Sequence, residues 1–256
     1  MQLSDRCGVI IGRIGTMRAR LDCPGPGWAR DPRTGLYLKK SRSKNIITLS
    51  GLSFMAKSIQ YGNADAGGTL RYIGTGTGYT YPAKGDTALV AETLRAEIDS
   101  WTNTNIASDP VVMIATKMFL TTEANAALME CGLFKASTGA PMFCRGLFGY
   151  GLITNATQAD PVVIESVGHG LADGDKILIE AVEGMTELNG NAYYVDVLTG
   201  DTFGLYTDAA LSASVNGTGF TAYTDASPNN ATWKKIIPKT SAETLTVTYS
   251  LTFPAD

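Results

Sequence analysis

Histidine is almost missing from this chain: His169 is the single one in 256 residues. A pair of imidazoles for a metal is thereby excluded. A Ser-His-Asp arrangement would have to be built on His169, between Gly168 and Gly170, and no G-x-S-x-G elbow accompanies it. The four cysteines (Cys7, Cys23, Cys131, Cys144) include no C-x-x-C pair, which argues against a zinc site and a dense disulfide framework. Cys7–Cys23 and Cys131–Cys144 bridges both stay open, because sequence does not supply the Cα separation. No apolar run approaches the ~18–20 residues of a membrane span. Residues 1–12 lack the long apolar stretch and small-residue cleavage pattern of a secretory signal. There is no G-K-[ST] phosphate loop. The expectation is a protein with no catalytic, cofactor-binding or metal-binding residues, no cofactor, no membrane partner and no enzymatic activity.

What is present is charge sorted by segment. The whole carries 21 Lys and Arg against 24 Asp and Glu, a net of −3. Residues 1–44 hold ten cations (Arg6, Arg13, Arg18, Arg20, Arg30, Arg33, Lys39, Lys40, Arg42, Lys44) against three aspartates, a net of +7. Residues 151–226 hold one lysine, Lys176, against eleven carboxylates, a net of −10. Such division points to assembly through surfaces. We divide the chain into a basic N-terminal arm (1–44), a discontinuous domain (45–150 with 227–256) and an inserted acidic module (151–226). Arg13, Arg18, Arg20, Trp28 and Tyr37 are the candidate assembly contacts of the arm. Their dispersed charges and the lack of any nucleic-acid-binding motif favour a neighbouring subunit over nucleic acid as the partner.

Short runs rich in Val, Ile, Thr and Tyr between turn residues predict a mainly β fold. The expected form is an antiparallel β-sandwich with one or two short helices and an inserted small β-barrel. Residues 22–35, with Pro24, Gly25, Pro26 and Gly27, read as an extended arm. Leu52, Met55 and Ile59 share one face of a short helix starting near Thr48 or Ser50. Thr69–Ile73 reads as a strand ending in the loop Gly74–Gly78, residues 86–98 as a helical turn or extended lead, and 111–120 as a strand. Thr121–Met129, with its alanines, reads as one short helical stretch. Glu130–Lys135 and Pro141–Phe148 read as a hairpin. In the module, strands are expected at 161–167, 176–182, 192–197 and 202–206. The outer domain is expected to resume at Trp233 and to end in Leu245–Phe253, whose Leu245, Val247, Tyr249, Leu251 and Phe253 share one face.

Gly74-Thr75-Gly76-Thr77-Gly78 fails as a dinucleotide fingerprint, since the third glycine comes one residue early and Tyr81-Pro82 follows where a helix should open. Asp173 and Asp175 around Gly174 lack the ligand spacing of a calcium loop. The same residues carry a resemblance. Tyr72–Gly78, then Asp86-Thr87-Ala88-Leu89, Glu92 and Arg95, followed by Glu130–Phe134, Phe143-Cys144-Arg145, Lys239-Thr240 and Leu245–Phe253, resembles a recurrent pattern in structural proteins of tailed bacteriophages. Within the insert, Gly168–Leu171, Gly174-Asp175, Gly184–Gly190, Thr202-Phe203 and Gly217–Tyr223 resemble the first catalytic cysteine half-domain of ubiquitin-activating enzymes, without that enzyme's cysteine. The resemblance implies a virion component of tail, neck or capsid exterior, assembled in the host cytoplasm. Its implied partners are other virion proteins and further copies of itself, with the insert as a projecting decoration. The alternative is a host-surface adhesin holding glycan on Tyr193, Tyr194, Tyr206 and Tyr223.

Overall fold

The computed structural model describes residues 16–21, 39–48, 51, 70–104, 111–139, 141–225 and 230–253. It is mainly β, built of antiparallel sheets, with one 3-10 turn at Thr186–Leu188 among the described residues. Two compact units are present: 42–148 with 16–21 and 239–253, and a second centred on 149–238. The chain thus leaves the first unit after Phe148 and returns at Lys239.

The first unit contains β1 (Thr16–Leu21), β2 (Lys39–Ile47), β3 (Tyr72–Gly76), β4 (Glu92–Glu97), β5 (Ser100–Thr104), β6 (Val111–Phe119), β7 (Ala127–Leu128), β8 (Glu130–Phe134) and β9 (Met142–Leu147). The second contains β10 (Tyr150–Leu152), β11 (Asn155–Ala156), β12 (Val163–Glu165), β13 (Lys176–Glu180), β14 (Ala192–Val197), β15 (Thr202–Tyr206) and β16 (Thr232–Pro238). β17 (Leu245–Phe253) completes the first.

In the first unit the sheet runs β4-β3-β8-β9-β2-β1-β17-β6-β5. Its outermost strands, β4 and β5, are consecutive in sequence, so the sheet must fold back on itself. The corner is Ile98-Asp99. Ile98 N–H donates to Arg71 O at 2.7 Å on one side, and Asp99 N–H to Thr116 O at 2.9 Å on the other. The Asp99 carboxylate fixes the bend by accepting Met118 N–H at 2.6 Å and Lys117 Nζ at 2.9 Å. The fold-back lays β17 over β8: Tyr249 Oη donates to Cys131 O at 2.9 Å, and Cys131 Sγ donates to Tyr249 Oη at 3.2 Å. Burial drives the Tyr249 phenol well above its ordinary pKa. Leu245, Val247, Tyr249 and Leu251 are buried while Thr246, Thr248 and Ser250 are not, the alternation expected from the sequence. Cys131 and Cys144 are both buried, on adjacent strands β8 and β9.

In the second unit the sheet runs β10-β16-β13-β14-β15-β12-β11 and curls as a half-barrel. Ile164, Ile177, Ile179, Tyr193, Val195, Phe203, Leu205 and Trp233 line its core. Registers Ile179↔Trp233 and Ile177↔Lys235 put Trp233 and Lys235 on the core face of β16. Trp233 Nε1 donates to Ser166 Oγ at 2.8 Å.

Several elements differ from the sequence expectation. β1 and β2 put residues 16–21 and 39–44 of the segment read as an arm into the sheet of the first unit. β3 runs through Gly74 and Gly76, which were read as loop. Residues 121–129 hold a turn and β7 where a short helix was expected. The turn forms because Glu123 Oε2 accepts Leu120 N–H at 2.9 Å, and Ala124 takes φ 51°. β16 joins the second sheet, where the sequence assigned 233–240 to the resumed outer domain. Of the helix expected near Ser50, Thr48 and Gly51 are described, with Gly51 N–H donating to Thr48 Oγ1 at 3.1 Å; the rest lies outside the described residues, as does the arm at 22–35.

Candidate functional site

Charge placed inside apolar strands is the feature from which a site must be built. Glu130 opens β8 and Arg145 lies in β9; both are 0% exposed. Arg145 Nε donates to Glu130 Oε2 at 2.6 Å. The same carboxylate accepts three backbone N–H groups, from Gly78 at 3.1 Å, Val90 at 3.2 Å and Ala91 at 2.8 Å. The guanidinium then reaches Asp86 Oδ2 at 2.9 Å and Thr80 O at 3.0 Å, and Asp86 Oδ2 also accepts Ala83 N–H at 2.9 Å. Among the described residues, every hydrogen bond that the two side chains make outside the pair falls on residues 78–91. One ion pair rising from the sheet thus pins an irregular fourteen-residue loop at both ends and in the middle.

This explains the glycines. A Cβ on Gly78 would lie 2.3 Å from Glu130 Oε1 and 2.6 Å from Val90 Cβ; one on Gly76 would lie 2.4 Å from Ala91 O. The glycines are bare so that carboxylate and loop can approach the backbone, as in a phosphate loop, but the anion is the protein's own. Gly78→Ala is expected to destabilise the first unit by about 1–3 kcal/mol through overpacking. Urea denaturation would check this, and a shift below about 0.5 kcal/mol would contradict the contact. Arg95 closes the strand side: it forks onto Glu92 at 2.9 and 2.6 Å, donates to Ala136 O at 3.0 Å and stacks 3.5 Å over the Phe134 ring. Tyr79, Tyr81 and Val90, on the loop so held, are exposed.

In the second unit the carboxylates fasten turns. Asp201 Oδ1 accepts Gly168 N–H at 2.7 Å, Asp173 Oδ1 accepts Val197 N–H at 2.8 Å, and Asp208 accepts Ser212 and Ala213 N–H at 3.0 and 2.8 Å. Glu187 Oε1 takes Thr221 N–H at 2.9 Å. Those backbone donors hold Glu187 and Asp208 below the usual carboxylate range. Asp175, 1% exposed, pairs with Lys235 Nζ at 2.6 Å and accepts Ala172 N–H at 2.9 Å, while its Oδ1 has no hydrogen-bond partner among the described residues. His169 accepts Leu171 N–H on Nδ1 at 3.1 Å, which leaves Nε2–H to donate to Thr199 O at 2.9 Å. Its ring meets Phe203 edge-on at 5.1 Å, so both nitrogens are spent on turn structure.

Of the candidate contacts, Arg18 and Arg20 lie in β1, opposite Thr248 and Thr246 of β17. Arg13, Trp28 and Tyr37 lie outside the described residues. Of the four tyrosines considered for glycan, Tyr194 and Tyr206 are direct cross-strand partners on the outer face, with Lys176 Nζ 5.1 Å over the Tyr194 ring. Tyr193 is buried, and Tyr223 donates to Ile153 O at 3.1 Å. The structure therefore splits that set in two, as strand alternation requires. Sequence reasoning missed Glu130–Arg145 and Asp175–Lys235. For the first pair a signal existed, since a lone carboxylate and a lone guanidinium interrupt two adjacent apolar strands. Among the described residues no group of three or more His, Cys, Asp or Glu side chains is placed to hold a metal ion.

Residues 162–223, within the second unit, match the family model of the ubiquitin-activating enzyme E1 FCCH domain. The matched stretch is a minority of the chain and says what that stretch is similar to. Comparison with curated proteins gives no match.

Proposed function

We propose that the chain is a non-catalytic structural component of a tailed-bacteriophage particle, of tail, neck or capsid exterior, assembling with other virion proteins and with copies of itself. Residues 149–238 are its added module. The observation that carries this reading is the use made of the motif residues. Gly76, Gly78, Asp86, Glu130 and Arg145, whose order resembles that of phage structural proteins, are all spent on holding residues 78–91 in one shape. A loop fixed at this cost, presenting Tyr79, Tyr81 and Val90 to solvent, is a preorganised contact surface; ordering is settled before the partner arrives. Aromatic anchors on rigid backbone are what protein interfaces use most. The acidic module and basic N-terminal residues supply complementary fields that would steer subunits together.

Sedimentation and light scattering of the full chain, alone and co-expressed with its neighbouring virion proteins, test the reading. The expected result is a higher-order assembly that dissociates when Tyr79, Tyr81 and Val90 are replaced together by serine, the circular dichroism staying unchanged. A chain that remains monomeric at high concentration with those neighbours present would overturn it.

A further inference from the structure

Lys239 is an unusual lysine. It is 2% exposed, at the point where the chain re-enters the first unit. Its Nζ donates to Asn125 Oδ1 at 2.8 Å and to Thr240 O at 3.0 Å. Its backbone N–H donates to Ala126 O at 3.0 Å, so the segments at 125–126 and 239–240 are joined through main chain and side chain together. The Asn125 amide is oriented from its other end: Nδ2 donates to Thr121 O at 2.8 Å, which turns the carbonyl to the amine. Glu123, two residues before the asparagine, holds one oxygen on Leu120 N–H at 2.9 Å, and Glu243 accepts Thr240 Oγ1 at 3.0 Å. Burial pushes the Lys239 amine below its ordinary pKa, while the charges of Glu243 and Glu123 oppose that shift. A buried amine held against an oriented amide is the starting geometry that acyl transfer onto lysine requires.

We propose that Lys239 Nζ and Asn125 Cγ join in an intramolecular isopeptide bond. The ammonium gives up a proton to solvent water, and the neutral amine attacks Cγ. Rotation about the last torsion of Asn125, a broad one, turns the carbonyl face to the amine for this step. The Nζ–Cγ bond forms and the Cγ–Nδ2 bond breaks. Nδ2 takes a second proton from Nζ, departs as ammonia and is protonated by water to ammonium. An ammonium and an amide become an amide and an ammonium ion; nothing is oxidised or reduced and no co-reactant is needed. The two groups already sit in hydrogen-bond contact, which removes most of the entropic cost of the encounter. The link spans 114 positions and brackets residues 126–238, so a pull along the chain would pass around the second unit instead of through it.

Intact-mass spectrometry of the folded full-length chain is the test. The expected result is a mass about 17 Da below that of the sequence, one ammonia lost to the lysine nucleophile. Proteolysis should give a branched peptide joining the Asn125 and Lys239 segments. Lys239→Arg, which keeps the charge but does not acylate, and Asn125→Ala should both restore the full mass. The full sequence mass in the folded wild-type chain after prolonged incubation would overturn the proposal, as would a loss that persists in both variants, for example from cyclisation at Gln2. Should the variants fail to fold, the wild-type peptide map decides by itself: a branched peptide supports the bond and its absence refutes it.

Discussion

Arg145→Met is expected to cost the first unit about 3–5 kcal/mol, the range for stripping one partner from a buried ion pair. Glu130→Leu is expected to cost at least as much. The asymmetry follows from the contacts. Without Arg145, the Glu130 carboxylate still accepts the N–H groups of Gly78, Val90 and Ala91. Without Glu130, those three donors lose their acceptor together, and the guanidinium, 1% exposed, keeps only Asp86 and the Thr80 oxygens. An unsatisfied buried donor costs about 1–3 kcal/mol, and of the three the Gly78 N–H is the fully buried one while those of Val90 and Ala91 are part-buried, so the carboxylate is the keystone and the arginine its counterweight. Because the two act as one network, Glu130→Leu/Arg145→Met should fall well short of the sum of the single losses. Urea unfolding of the four chains gives the energies, and amide exchange at Gly78, Val90 and Ala91 locates the effect. Single losses under about 1 kcal/mol, or unchanged protection at those amides, would show that the loop is held by something else.

The same network explains how much of the fold was legible in the sequence. β17 was legible because its apolar residues alternate, and Leu245, Val247, Tyr249 and Leu251 face one core. The β8–β9 hairpin was legible because two apolar runs flank a turn-forming connector. β3 past Ile73 was not. Gly74, Thr75 and Gly76 have no hydrophobic period, and what requires their glycines lies far downstream: the Phe134 ring, 2.8 Å from a Cβ on Gly74, and the Ala91 carbonyl and Glu130 carboxylate, 2.4 and 2.8 Å from one on Gly76. Nothing local announces such a partner. Residues 121–129 misled in the opposite way: their alanines favour a helix, but the Glu123 side chain caps Leu120 N–H and turns the chain first. The module's strands at 176–180, 192–197 and 202–206 were legible from turn residues at Gly174, Gly190 and Gly200. Which sheet a strand joins is a separate matter, fixed by long-range pairing, and that is why β16 was assigned to the wrong side of the return.

Lys235→Met puts that assignment to an energetic test. Lys235 faces the core side of β16 and meets Asp175 at 2.6 Å, with side-chain exposures of 4% and 1%. Counted with β16, the second unit carries Lys176, Lys234 and Lys235 against eleven carboxylates, a net of −8. Lys235 is thus one of few cations available there, and it serves the most deeply buried of those carboxylates. Removing its ammonium leaves Asp175 with Ala172 N–H on Oδ2 and no hydrogen-bond partner on Oδ1 among the described residues. The expected loss is about 3–5 kcal/mol, since an uncompensated carboxylate cannot return to water without opening the half-barrel. Asp175→Leu/Lys235→Met removes both charges, and its stability should lie close to that of the wild-type chain or above it, because neither desolvation penalty remains. Trp233, 2% exposed and two residues away on the same face, reports on this transition by fluorescence. The two units need not unfold together, so the assignment is read from which transition moves. If β16 is part of the second core, the Trp233-reported transition shifts and amides of β17 keep their protection. Were the loss to appear first as exposure of β17 amides, Lys235 would be supporting the other unit and the pairing of β16 with β13 would not be what holds it.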